Sequence, residues 1–325
     1  MNRGIVIGKF YPPHAGHKHL IETARSQVDE LTVIVCDHKD QAIRGELRAQ
    51  WLREIHPRVQ VFVVDDILPE DDSKGWAEYT LKTLGYRPDV VFTSEAYGDA
   101  YASFLKARHV LVDQAREAVP ISGTQVRQNP LQCWGYLEPC VRAYFAKRVC
   151  LVGAESTGTT TLAKALAEYY QTVWVPEYGR LYTEAKLSTG RLTWRPEEFI
   201  FIAEQQNRLE DQLTRWCNKL LICDTDALAT CLWQERYLGH ISPEVEALTG
   251  DRKYDLYFLT DVDIPFVQDG TRDGEQIRHA MHRRFEEELR KRNKQYLVLS
   301  DKLDVRLKKA IEACDGILGR QLEGL

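Results

Sequence analysis

Short apolar runs rich in β-branched residues recur along the chain, separated by longer stretches in which apolar positions return every three to four residues. Runs at 4–8 (GIVIG), 31–36 (LTVIVC), 59–64 (VQVFVV), 89–93 (DVVFT) and 109–112 (HVLV) predict five strands, and segments 17–28, 44–56, 75–85 and 98–107 predict helices between them. Strands that are apolar throughout, without alternation, suit a sheet covered on both faces, so this order implies a mainly parallel sheet built from βαβ units. A second series follows at 148–153 (RVCLVG), 172–176 (TVWVP), 219–224 (KLLICD), 254–260 (YDLYFLT) and 295–300 (QYLVLS), again with helical stretches between. The segment LQCWGYLEPCVRAYFAK at 131–147 has helical character and reads as a short packed connector.

The expected fold class is therefore α/β with two domains, a Rossmann-like one over 1–146 and a second over 147–325, both with mainly parallel sheets. The length of 325 residues agrees, and 44% hydrophobic with 28% charged residues excludes wholesale disorder. A net charge of -5, from 43 basic and 48 acidic residues, argues against a bulk duplex-binding surface. No apolar run approaches the roughly 20 residues that span a bilayer, so no membrane association is expected. The start MNRGIVIGKF lacks the longer hydrophobic region of a signal peptide and leads directly into a strand, without room ahead for a helix-turn-helix. Eight cysteines form no CxxC pair and several sit inside apolar runs, which points to reduced core thiols and a cytoplasmic protein. Oligomeric state is left open, a homo-oligomer included.

GKFYPPHAGHKHL at 8–20 follows the first strand directly. A helix beginning near Gly16–His17 aims its N-terminus at the crevice above the strand ends, where open α/β sheets bind ligands. His14 and His17 then face one anion and donate charge-assisted hydrogen bonds to its oxygens, with Gly8, Lys9 and Phe10 at the turn. Strand, GxFxPxHxGH and helix together resemble the nucleotidyltransferase superfamily. ISGTQVR at 121–127 continues that resemblance, with Ser122 and Thr124 as cap and phosphate contacts and Arg127 as a fork on the phosphates.

VCLVGAESTGTTTLAKAL at 149–166 reads as strand, Gly-rich loop and helix, the setting of a P-loop. Gly153, Ser156, Thr157, Gly158, Thr159, Thr160 and Thr161 are candidate ATP contacts, and the Thr160 hydroxyl suits Mg²⁺. Thr159 stands where the template has lysine; losing one such preorganised donor costs on the order of 2–4 kcal/mol of transition-state stabilisation. Lys164, five residues further on, is expected to face elsewhere. The competing reading of the loop is a relic or a purely structural turn. Glu177 and Arg180 follow one strand, and Asp224 and Asp226 end another, where they suit Mg²⁺ or substrate hydroxyls. The Asp-, Gly- and Arg-rich stretch 261–285 reads as a lid with Arg272 on the phosphates and Arg278 behind it. Asp261 and Asp263 read as solvated turn residues, and 282–284 as a solvated helix face.

These motifs in this order resemble the bifunctional nicotinamide mononucleotide adenylyltransferase/ribosylnicotinamide kinase (NadR-type) family. SEAYG at 94–98, VPISGTQVRQNP at 119–130, PEYGR, CDTD and DIPFVQDGTRD belong to the likeness. It implies a C-terminal P-loop kinase domain that phosphorylates nicotinamide riboside with ATP and Mg²⁺. It likewise implies an N-terminal nucleotidyltransferase domain that adenylylates nicotinamide mononucleotide, with NAD⁺ and pyrophosphate as products. His14, His17 and Arg127 would be catalytic in the N-terminal domain; in the C-terminal domain either Glu177 or Asp224 would assist the 5′-hydroxyl, with Mg²⁺ on Thr160 and Asp224. Tyr97, Arg180 and Asp226 would bind substrate, Tyr97 by stacking; Trp134, Trp174 and Trp194 are further aromatic candidates. Some family members also repress transcription through an N-terminal DNA-binding domain, for which this chain offers no segment. The alternatives are an active transferase with the P-loop domain as a nucleotide sensor, a different phosphorylated acceptor such as a pantetheine or polyol phosphate, and a DNA-binding regulator.

Overall fold

The computed structural model describes residues 1–190, 193–250 and 252–319, and the chain divides into two compact units, Met1–Tyr144 and Phe145–Leu325. The first runs β1 (Arg3–Gly8), α1 (Ala15–Arg25), β2 (Glu30–Asp37), α2 (Gly45–Ile55), β3 (Gln60–Asp65), α3 (Ser73–Leu84), β4 (Val90–Thr93), α4 (Gly98–Leu105), β5 (Arg108–Leu111) and α5 (Gly123–Gln128), with α6 (Pro139–Phe145) at its end. Its sheet has the order β3-β2-β1-β4-β5, every pair parallel. The period-two geometry of a strand explains why the apolar runs are continuous. Val6, Val33, Val35, Val90 and Phe92 bury one face under Leu20, Ile21 and Ala24 of α1 and Ala49 and Leu52 of α2. Ile5, Ile7, Ile34, Cys36 and Val91 bury the other under Ala77 of α3 and Tyr101, Ala102 and Leu105 of α4. The strand order reverses at β1, which opens a crevice above the carboxyl ends of β1 and β4.

The second unit runs β6 (Lys147–Gly153), α7 (Thr159–Tyr170), β7 (Trp174–Val175), α8 (Tyr178–Ser188), α9 (Pro196–Thr214), β8 (Leu220–Asp224), α10 (Ala227–Leu238), α11 (Pro243–Ala247), β9 (Leu256–Thr260), α12 (Arg278–Lys291), β10 (Tyr296–Leu299) and α13 (Leu303–Leu318). Its sheet is also wholly parallel, in the order β10-β9-β6-β8-β7, so β6 is central and the chain reverses there. One core joins Val149, Leu151, Leu220, Ile222, Phe258 and Leu299 to Leu162, Ala163 and Leu166 of α7 and Ala310 and Cys314 of α13.

Three expectations are adjusted. The strand expected over 172–176 contracts to Trp174–Val175, because β7 is a sheet edge, Thr172 spends its hydroxyl on the Leu220 carbonyl (2.7 Å), and Pro176 has no N–H to donate. The connector is two pieces, a 3₁₀ turn at Trp134–Tyr136 and α6, because Pro139 cannot continue a helix backwards. Arg284, expected in a solvated face, is held by Glu235 (2.7 Å) and Glu288 (2.8 Å). None of the eight cysteines is in a disulfide, and no helix is long and apolar enough to cross a membrane among the described residues.

Candidate functional site

Each unit carries a large cavity at the carboxyl edge of its sheet. The first, of about 750 Å³, is lined by Ile7 and Gly8 at the end of β1, Thr93 and Ser94 at the end of β4, the 9–17 loop and the start of α5. The helix α1 starts at Ala15, one residue earlier than expected, with His14 as its N-cap, whose Nδ1 accepts from the Gly16 amide (3.1 Å). That bond leaves Nε2 as the protonated nitrogen. The His17 ring stacks on it at 3.8 Å between centroids. Burial, with Arg116 second, pushes His14 down to about 4; burial, the His14 charge and Arg116 hold His17 well below the usual imidazole range. The pair is therefore neutral before an anion arrives, where the sequence suggested charged donors. His17 Nδ1 is buried without a partner, a donor or acceptor still to be satisfied.

The loop before α1 is held by two arginines. Arg48 is wholly buried and reaches the carbonyls of Lys9 and Cys36 and the side chains of Asp37 and Gln41. Arg127 gives Nη1 to the Tyr11 carbonyl (2.6 Å) and Nη2 to Thr124 Oγ1 (3.0 Å), so two of its donors are already engaged at the cavity rim. Ser122 caps α5 in a capping box with Gln125. A side chain at Gly123 would meet the Tyr11 carbonyl at 2.8 Å, which is why α5 can approach this loop only through glycine. Lys9 lines the cavity with its ammonium on Glu70 and 3.7 Å from Asp66. Phe10 puts its ring into the core and leaves the cavity its main chain, at φ 46°. Tyr97 donates to the Ile7 carbonyl (3.2 Å) with its ring on the cavity wall, whereas Trp134 is core.

The second cavity, about 610 Å³, lies over the ends of β6, β7 and β8 and is lined by Gly153, Ser156, Gly158, Thr159, Thr160 and Thr161 of the loop and α7. Gly158, at φ 83°, is the N-cap of α7, and a side chain at Gly153 would collide with the hydroxyls of Thr260 and Thr157. Thr157 turns its hydroxyl inward to the Ala154 carbonyl (2.7 Å) and Thr260 (2.7 Å), away from the cavity. Thr160 donates to Asp224 Oδ2 at 2.5 Å. Burial raises Asp224, and burial with the neighbouring Asp224 pushes Glu177 up to about 8. A hydroxyl paired with a carboxylate at a phosphate-loop helix offers the hard oxygen donors that suit Mg²⁺, with nucleotide oxygens to complete the set.

The 261–274 segment is strapped onto this loop. Glu155 accepts from the amides of Asp273 (2.9 Å) and Gly274 (3.3 Å), and Ser156 Oγ accepts from the Val267 amide (2.9 Å). Arg272 lines the cavity but spends its guanidinium on the Val267 carbonyl and on Asp269 (3.1 Å); Arg180 is on the same Asp269 (2.7 Å). Arg278 is buried with Nη2 on the Ser156 and Ile264 carbonyls. Asp226 does not reach the cavity: it caps α10 through the Ala229 amide (3.0 Å) and accepts from Tyr257 (2.7 Å). Asp261 and Asp263 keep much of their surface in water, as expected of turn residues, and also accept from Ser300 Oγ (2.8 Å) and from Arg306 respectively. Lys164, by contrast with expectation, does line the cavity, because it lies one turn from Thr160 on the same face of α7. Trp174 and Trp194 are also in the wall, and Trp194 stacks with Tyr237 at 5.3 Å.

Sequence reasoning did not single out Arg48, Arg116, Glu155 or Arg306. Arg306, 3% exposed, clamps the Thr157 carbonyl (2.5 Å) and Asp261 carbonyl (3.1 Å). It shares the buried stripe of α13 with Ala310 and Cys314, and Arg48 shares that of α2 with Trp51 and Leu52. A cation on an otherwise apolar stripe was the available signal. Arg116 carries none.

Fold and site together define a two-unit α/β protein that joins a nucleotidyltransferase-like sheet to a P-loop unit. Residues 5–129 match the cytidylyltransferase-like family and residues 148–306 an AAA domain. The trifunctional NAD biosynthesis/regulator protein NadR of Escherichia coli is 32% identical over 83% of this chain and 71% of its own length. The protein of the same name from Salmonella typhimurium is 30% identical over 98% of this chain and 84% of its own. The chain belongs to the NadR family. Crystal structures of NadR protein in complex with NR, and with NAD and AMP-PNP, superpose over the whole chain with TM-scores of 0.82 and 0.79 at 22% and 23% identity, which establishes a shared fold.

Proposed function

We propose that this chain is a bifunctional enzyme of NAD biosynthesis, with residues 147–325 phosphorylating nicotinamide riboside and residues 1–146 adenylylating the resulting mononucleotide. The observation that carries the reading is the carboxylate pair Glu177 and Asp224, standing beside a P-loop in one cavity while stacked His14 and His17 face α5 in another. In the second unit the 5′-hydroxyl oxygen bonds to the γ-phosphorus, the bond from that phosphorus to the β–γ bridging oxygen breaks, ADP leaves, and the proton passes to the carboxylate pair. Thr160 and Asp224 would hold Mg²⁺, which when bound neutralises charge on the phosphates. In the first unit a mononucleotide phosphate oxygen bonds to the α-phosphorus of ATP and the bond to pyrophosphate breaks. The backbone of Gly8–Phe10, the neutral imidazoles, Ser122, Thr124 and Arg127 serve by orienting phosphates and donating to oxygens whose charge grows. Tyr97 offers a ring face to the nicotinamide.

A second reading keeps only the transferase active, with the P-loop unit a nucleotide sensor; Thr159 in place of lysine and the engagement of Arg180 and Arg272 by Asp269 favour it. Chromatography of purified protein incubated with nicotinamide riboside, ATP and Mg²⁺ tests both. NAD⁺ is expected. Mononucleotide alone removes the transferase assignment, and NAD⁺ formed only when mononucleotide is supplied leaves the sensor.

A further inference from the structure

Three cations line the second cavity among the described residues, Lys164, Arg180 and Arg272. The two arginines are committed to Asp269. Lys164 is not: its ammonium rests 5.1 Å from the centre of the Trp174 ring and has no ion-pair partner among the described residues. A cation held by an aromatic face gives up about 0.5–1 kcal/mol at an exposed site when it leaves, far less than an ammonium withdrawn from a buried carboxylate. Side chains on a helix lean toward its N-terminus, so Lys164 covers the turn of Thr160, the turn that opens onto the phosphate loop.

We propose that Lys164 is the phosphate-binding cation of this cavity, supplying from one helical turn further along the ammonium that Thr159 does not provide. The proposal rests on the phosphoryl-transfer reading above. As the γ-phosphorus leaves the β–γ bridging oxygen for the 5′-oxygen, negative charge grows on ADP. The Lys164 ammonium donates to those oxygens, and no proton or covalent bond passes through it.

The test compares Lys164→Met, which keeps the stem over Trp174, with Lys164→Arg and the double variant Thr159→Lys/Lys164→Met. Phosphorylation of nicotinamide riboside, adenylylation of the mononucleotide and calorimetric titration with AMP-PNP and Mg²⁺ are read in parallel. Lys164→Met is expected to lower kcat/KM for phosphorylation on the order of 10²-fold while adenylylation holds, and the double variant to recover at least about tenfold. Phosphorylation within about threefold of the parent in Lys164→Met overturns the proposal. So does failure of both Lys164→Arg and the double variant to recover activity, because charge is then not what the residue supplies. A parent that binds AMP-PNP yet phosphorylates no riboside refutes the functional reading instead. The proposal is then decided by affinity, which Lys164→Met must weaken about tenfold for it to stand. A parent that binds no AMP-PNP refutes both.

Discussion

Replacing Glu177 by Gln removes a carboxyl that the fold keeps protonated. Its pKa rises from 4.5 to about 8, first through burial and then through Asp224. At about 1.4 kcal/mol per pH unit the shift corresponds to at most about 5 kcal/mol of linkage. The carboxyl is open to solvent along one edge of the cavity, and screening there brings the expected value to about 2–3 kcal/mol. The folded pKa is the higher one, so between 4.5 and about 8 the unfolded chain releases a proton that the folded chain retains, and the parent loses stability as pH rises through that window. Glutamine does not titrate. Its advantage is therefore nil near pH 4, grows across the window and levels off above about pH 8. For a unit of this size 2–3 kcal/mol corresponds to a rise of about 5–10 °C in Tm. Differential scanning calorimetry without ligand at pH 4.5 and 8.5 measures it. An equal Tm gain at both pH values, or none at the higher, refutes the reasoning. In the parent, if Glu177 takes the hydroxyl proton, kcat for phosphorylation climbs through the same window, because the accepting form is populated only toward its upper end.

His17→Ala is expected to abolish NAD⁺ formation from mononucleotide and to spare riboside phosphorylation; equal loss of both in a folded variant would falsify the division of labour between the units. Arg48→Ala leaves the Lys9 and Cys36 carbonyls and Asp37 without their buried partner, and should cost about 3–5 kcal/mol, read as a lower Tm for the first transition with phosphorylation retained. Gly153→Ala drives a methyl group into the hydroxyls of Thr260 and Thr157 and should weaken AMP-PNP binding by the second unit, measured by calorimetry, while adenylylation continues unchanged.

What the sequence determined by itself was whatever local physics encodes. Apolar runs such as LTVIVC and LLICD could only be strands covered on both faces, and the Gly-rich turns after β1 and β6 could only be close backbone approaches at helix starts. The members of each candidate site were for the same reason legible as motifs, since His14, His17, Thr160 and Glu177 all stand in the loop or first helical turn that follows a strand. Tertiary structure decided what each side chain is spent on. Asp224 and Asp226 are two residues apart in CDTD, yet one lines the cavity against Thr160 and the other caps a helix under Tyr257, because the backbone turns between them. Arg272 and Arg180 meet over Asp269 from segments about ninety residues apart, and Arg306 arrives at the phosphate loop from the last helix. Charge state was decided the same way: His14 and His17 are neutral and Glu177 protonated because folding strips water from them and sets like charges beside them. Burial and long-range pairing depend on which distant segments meet, and no local pattern carries that information.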